Sequence, residues 1–214
     1  MTASSAELQR TREWWLARRG KITSSRIHRV VNGTERGWKT LVRELAEELR
    51  MDEMPAWRGT AAMRRGEQLE PATLANAALD FGFTAVPVGF VRHPTIPYIG
   101  ASSDFLVRLP RKRKLLNGEG KAPNLARHMA IVMNRQLPPE YFCQVQLQME
   151  VHRCDLTYFI SHNPLAPDWR QRTVKLEIPR EQAYVDHMLA RCAQFWRLFT
   201  FTDEPISNEI PETF

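Results

Sequence analysis

Cysteine is scarce in this chain: three residues, Cys143, Cys154 and Cys192, scattered and odd in number. No C-x-x-C pair occurs, which rules out a disulfide framework as the organising device and leaves a reduced, cytoplasmic protein as the expectation. The six histidines lack metal-ligand spacing, so zinc is not expected. Apolar runs are short, none approaching the roughly 20 residues that a bilayer-spanning helix needs. The opening Met1-Thr2-Ala3-Ser4-Ser5 has neither a basic start nor an apolar stretch, so no secretory leader is expected. Internal repeats and low-complexity linkers are also missing. The expectation is one α/β domain over residues 1–214.

Charge is abundant but uneven. Thirty Lys and Arg against 24 Asp and Glu give a formal net charge of +6. That balance favours a polyanionic partner and says nothing about fold.

Hydrophobic periodicity organises the chain into helices, then strands, a helical stretch, more strands and a last helix. A first helix is predicted over Glu7–Arg18 with Ser4 or Ser5 as cap, and Gly20 breaks it. Thr23-Ser24-Ser25 offers caps for a short helix ending at Asn32-Gly33. Trp38 to Arg50 is amphipathic, with Trp38, Leu41, Val42, Leu45 and Leu49 on one stripe. A long helix is predicted over Thr60–Leu79, kinked or split near Glu67 by Pro71. Short β segments follow at 85–91, then strands at 98–106 and 114–122 around a basic hairpin tip, Arg108 to Lys114. Helices over 125–135 and 140–153, strands over 155–161 and 172–178, and a helix over 180–199 complete the order.

Two segments carry chemistry. Gly100-Ala101-Ser102-Ser103-Asp104-Phe105-Leu106 places an acid on a small-residue turn. Asn117-Gly118-Glu119-Gly120-Lys121 places Glu119 and Lys121 two apart, so a strand projects both to one side. If the strands pair as a hairpin, two carboxylates and one ammonium meet. Hard Mg²⁺ prefers such oxygens, supplied here by Asp104, Glu119 and the carbonyl of Gly120. The cation can activate a water and stabilise phosphate charge, while Lys121 can orient that water, assist its deprotonation or stabilise the oxyanion. E-x-K alone is a common surface pattern, and a strand with solvated Asp, Glu and Lys is the bland alternative.

The two segments resemble the lambda-type phage exonucleases and their YqaJ-like relatives, nucleases of the PD-(D/E)XK superfamily, whose corresponding motifs read G-A-S-P-D-G-L and E-I-K-C-P. Ser103 and Phe105 stand where that pattern has Pro and Gly, and Gly120 replaces a β-branched residue. Three further blocks agree in order. Trp15 to Ser25 carries the R-x-G-x-I-T-x-S part of W-x-x-x-R-x-G-x-I-T-A-S, Gly66 to Glu70 matches G-x-x-x-E, and Tyr141 to Gln146 matches Y-x-x-Q-V-Q. The blocks leave the C-terminal strands and helix uncovered.

The resemblance implies a PD-(D/E)XK core with a central mixed β-sheet flanked by helices. It implies a Mg²⁺-dependent enzyme, with Mn²⁺ able to substitute, that degrades one strand of linear double-stranded DNA from its 5′ end. Such an enzyme releases mononucleotides and leaves a 3′ overhang for recombination. Homotrimer formation and a single-strand annealing recombinase as partner are implied in the same way. Glu70, at helical spacing among small residues, becomes an active-site acid rather than an exposed helix glutamate. Gln144 anchors the active-site helix, touches the scissile region or is an ordinary polar helix residue. Arg18 and Ser25 look like a pocket for a terminal 5′-phosphate, beside a helix opening at Thr23 to Ser25. Arg19, Lys21, Arg111, Lys112 and Arg113 either follow the DNA backbone or are solvated. Trp14-Trp15 reads as packing. A structure-specific or restriction-type endonuclease on the same core, and a non-catalytic DNA-binding module, remain the alternatives.

Overall fold

The computed structural model describes residues 11–55 and 61–200, without the side chains of residues 61–63, 65, 67, 70 and 72. Helix α1 (Arg12–Arg18) starts later than its periodicity suggests. Thr11 is its cap, accepting from the Trp14 N–H at 3.1 Å. Ser4 and Ser5, the caps expected from the sequence, lie outside the described residues. Gly20 then turns the chain with φ +66°, its missing side chain replaced by the packed tip of Leu49.

Strand pairing overrides the expected cap at Thr23-Ser24-Ser25. Ile22 and Thr23 form β1 (Ile22–Thr23), parallel to Ile99 and Gly100. Helix α2 (Ile27–Val31) opens only after Arg26, with no side-chain cap. Helix α3 (Glu35–Arg50) begins earlier than Trp38, because Thr34 caps it through the Gly37 N–H. Helix α4 (Ala61–Phe81) runs as one element through Pro71, so of the kink or split expected there the split does not occur. Leu74, Ala77 and Ala78 on α4 pack with Phe83, Phe105, Val107 and Tyr158. That apolar contact offsets the single backbone hydrogen bond that proline removes.

Two sheets follow. β2 (Thr84–Val86), β5 (Phe105–Arg108), β6 (Leu116–Lys121), β7 (Leu156–His162) and β8 (Thr173–Pro179) form one in the order β2-β5-β6-β7-β8. β3 (Phe90–Arg92) and β4 (Ile99–Ser102) join β1 in the other, in the order β1-β4-β3. The single strand expected at 98–106 is therefore two strands in different sheets, broken at Ser103-Asp104. Glycine explains part of this. Phe90 lies across Gly100 in one sheet and Phe105 across Gly118 in the other, so each half has its own aromatic lid.

The five-stranded sheet is mixed: β6 and β7 run parallel, the other pairs antiparallel. A parallel pair requires a crossover, provided by α5 (Leu125–Asn134) and α6 (Pro139–His152). Helix α6 is buried on nearly every side. Cys143, Leu147 and Val151 face α2, α3 and α7 (Gln182–Thr200), while Val145 meets Ile131, Phe159 and Leu176. A helix enclosed this way shows little amphipathicity. The three cysteines are buried and unpaired, and no helix among the described residues is long and apolar enough to cross a membrane.

A Cβ at Gly118 would run into the Phe105 ring. Gly118→Ala should lower stability by about 1–3 kcal/mol through overpacking. The expected readout is a reduced urea midpoint with an unchanged m-value, and an unmoved midpoint would contradict it.

Candidate active site

The β5–β6 hairpin pairs Phe105 with Gly118, which sets Asp104 beside the Glu119–Lys121 end of β6. The Gly120 N–H donates to Asp104 Oδ2 at 2.8 Å. Lys121 Nζ donates to Glu119 Oε1, as alternation along the strand requires. Gln144 Nε2 reaches the same oxygen at 2.5 Å, and Gln148 Nε2 donates to Oε2 at 2.6 Å. Asp104, Glu119, Gly120, Lys121 and Gln144 are thus brought together.

Glu119 is fully buried. Burial, and then the charge of Asp104, push its pKa up to about 7 against the opposing pull of Lys121. Burial disfavours the Lys121 ammonium, but the Glu119 and Asp104 carboxylates outweigh it and hold its pKa above the usual range. A buried carboxylate with raised proton affinity beside a second carboxylate is a donor set a divalent cation relieves, so these oxygens fit hard-metal chemistry. No cluster of three or more Asp, Glu, His or Cys occurs among the described residues. Glu70 lies on α4, but its side chain is outside the described residues.

Arg18 stacks on the Trp14 ring at 4.3 Å, and its Nη2 lies 3.5 Å from Ser25 Oγ. Burial, and then Arg26, lower its pKa to about 10. A desolvated guanidinium beside a second cation is suited to an anion. The α2 N-terminus does not join it in the expected way, since Thr23 to Ser25 do not open that helix. Arg19 donates to the Met51 carbonyl at 2.7 Å, and Lys21 to that of Pro97 at 3.1 Å, so both have structural partners. Arg111, Lys112 and Arg113 are exposed at the far end of the β5–β6 hairpin, away from Asp104 and Glu119.

Gln148 was legible only as a neighbour of Gln144 on the same helix face. Its role needed the fold, because its partners Glu119 and Ser102 come from two different sheets. Gln146 faces elsewhere, tying the Pro179 carbonyl and the Glu181 N–H. Trp14, read as packing, also donates from Nε1 to Ser102 Oγ at 2.9 Å.

An E-x-K strand and an adjacent acid turn on a mixed sheet flanked by helices define a PD-(D/E)XK nuclease core. The YqaJ-like viral recombinase domain matches residues 13–155, more than half of the chain, and the protein belongs to that family. An alkaline exonuclease from Laribacter hongkongensis, LHK-Exo, is similar at 29% identity and a TM-score of 0.77, over 87% of this chain and 91% of its own. The same protein in complex with dAMP superposes with a TM-score of 0.78 over the same shares. A phage-related exonuclease from Haemophilus somnus 129PT shares the fold at 15% identity and a TM-score of 0.63, over 84% of this chain and 93% of its own. A search of curated proteins finds no match.

With its pKa raised from 4.5 to about 7, Glu119 favours the protonated folded state. Its contribution to stability is present below the unfolded value and is lost as pH rises through about 7. A cation that binds the ionised form should therefore stabilise more at high pH. The rise in Tm on adding Mg²⁺ should be larger at pH 8 than at pH 6, and Glu119→Gln should flatten the difference. Equal shifts for the unaltered protein at the two pH values would contradict this.

Proposed function

We propose that the protein is a Mg²⁺-dependent 5′-to-3′ exonuclease acting on linear double-stranded DNA, releasing mononucleotides and leaving a 3′ single-stranded overhang. The observation that carries this reading is the meeting of Asp104, Glu119 and Lys121 at one point of a PD-(D/E)XK core. Membership of the YqaJ-like family supports it. So does the likeness to a protein described as an alkaline exonuclease, one of whose structures holds a mononucleotide.

In this reading Asp104, Glu119 and the Gly120 carbonyl hold the cation, with Mn²⁺ able to replace Mg²⁺, and Glu70 adds a further acid. The bound cation would supply positive charge for the scissile phosphate and lower the pKa of a water. Lys121 keeps its proton beside Glu119 and presents charge to a phosphate oxygen. Gln144 and Gln148 hold Glu119 in place. Arg18 and Ser25 receive the terminal 5′-phosphate, which puts the first scissile bond at the carboxylates. The physiological assembly is a homotrimer working beside a single-strand annealing recombinase.

Asp104→Ala, Glu119→Ala and Lys121→Ala should each abolish Mg²⁺-dependent digestion of linear duplex while far-UV circular dichroism shows each variant still folded. Closed circular duplex should remain intact. Nicking of the circle would point to an endonuclease, and turnover retained in a variant would remove that residue from the machinery.

Duplexes with a 5′-phosphate should be degraded roughly ten- to a hundred-fold faster than 5′-hydroxyl ends, the scale of one charge-assisted contact expressed in the transition state. Arg18→Ala should erase most of that preference. Initial rates on both substrates decide it: equal parent rates would remove the pocket, and an undiminished preference in the variant would clear Arg18.

A further inference from the structure

Behind Glu119 lies a chain of side-chain hydrogen bonds that ties Gln148 to residues the chemistry above does not use. Asn117, one strand step below Glu119 on the same side of β6, is its hub. Its Nδ2 donates to Gln148 Oε1 and to Thr157 Oγ1, both at 3.0 Å. Its Oδ1 accepts from Ser103 Oγ at 2.5 Å. Gln148 continues the chain, with Nε2 donating to Glu119 Oε2 and to the Ser102 carbonyl at 3.0 Å. Ser103, Asn117, Glu119, Gln148 and Thr157 are all 0% exposed.

The direction of these bonds matters. A glutamine side chain has one accepting and one donating end. By donating to Oε1, Asn117 holds Gln148 with its amide N–H groups toward the Glu119 carboxylate. The reversed amide would set oxygen against oxygen. The hub also receives Ser103, the residue before Asp104, at the position where the resemblance has proline. One side chain therefore ties the turn that carries Asp104 to the amide that orients Glu119.

We propose that Asn117 is a positioning residue that sets the affinity of the Asp104–Glu119 pair for a divalent cation. The inference rests on the metal reading of that pair given above. Without Asn117, the turn and the Gln148 amide lose their common anchor, and the two carboxylates are no longer held in one geometry. Groups that orient metal ligands in this way typically change metal affinity by about ten- to a hundred-fold when removed.

The test is Mn²⁺ binding to the purified protein without DNA, followed by titration calorimetry. Asn117→Leu should weaken binding about ten-fold or more, and the milder Ser103→Ala by about three-fold. Thr157→Val removes a hydrogen bond of the same hub at equal depth but leaves the Ser103 and Gln148 contacts. It should lower Tm while keeping Mn²⁺ affinity within about two-fold. Unchanged affinity in Asn117→Leu would overturn the proposal. Weakening by Thr157→Val equal to that of the other variants would overturn it too, because the effect would then be general loosening. If Asn117→Leu does not fold, the comparison of Ser103→Ala with Thr157→Val decides alone. A parent protein that binds no Mn²⁺ would instead refute the metal reading itself.

Discussion

A carboxylate with no access to solvent has to be surrounded by donors, and Glu119 imposes that requirement on everything near it. Leaving water costs an ionised group several kcal/mol, and the cost is offset only by hydrogen bonds and opposite charge within reach. Lys121 supplies the charge from the same strand. The remaining donors, Gln144 and Gln148, come from α6. Helix α6 therefore has to lie against β6 with its polar stripe inward. Its other sides are then taken by α2, α3 and α7 on one flank and by Ile131 and Phe159 on the other. The polar stripe and the buried flanks have one origin.

The break between β4 and β5 is the second organising feature. Without it the chain from Ile99 to Arg108 would continue in one sheet, and Asp104 would not turn toward Gly120. Ser102 marks the junction. Its hydroxyl accepts from Trp14, the ring under Arg18, and its carbonyl accepts from Gln148, which also holds Glu119. Ser102 thus links the Trp14–Arg18 stack to the amide that holds Glu119. In the function proposed above, this shared junction is what sets the spacing between the end-binding group and the carboxylates.

Much of this was legible in the residues. The period of two in Glu119-Gly120-Lys121 predicted a shared side, and the two charged groups touch. The hairpin joining the acid turn to the E-x-K strand formed as expected. The stripe of α3 buried Leu41, Val42 and Leu45 as its spacing required. Other expectations failed for identifiable reasons. Thr23 went into a strand rather than a cap because Ile99 and Gly100 were available to pair. Of the kink or split expected at Pro71, the split did not occur, because the apolar contact of that helix outweighs one hydrogen bond.

What the sequence determined by itself is what depends on neighbours in the chain: the strand period that joins Glu119 to Lys121, the helix stripes, and the order of acid turn, E-x-K strand and Gln144 helix. The division of 98–106 between two sheets, the burial of Glu119, and the hub made by Asn117, Gln148 and Ser103 were decided only by tertiary structure. A buried polar group takes its meaning from partners far along the chain, as Asn117 does from Thr157, 40 residues away. Local pattern carries no trace of such a partner, because hydrogen bonding and desolvation act through space and not along the chain.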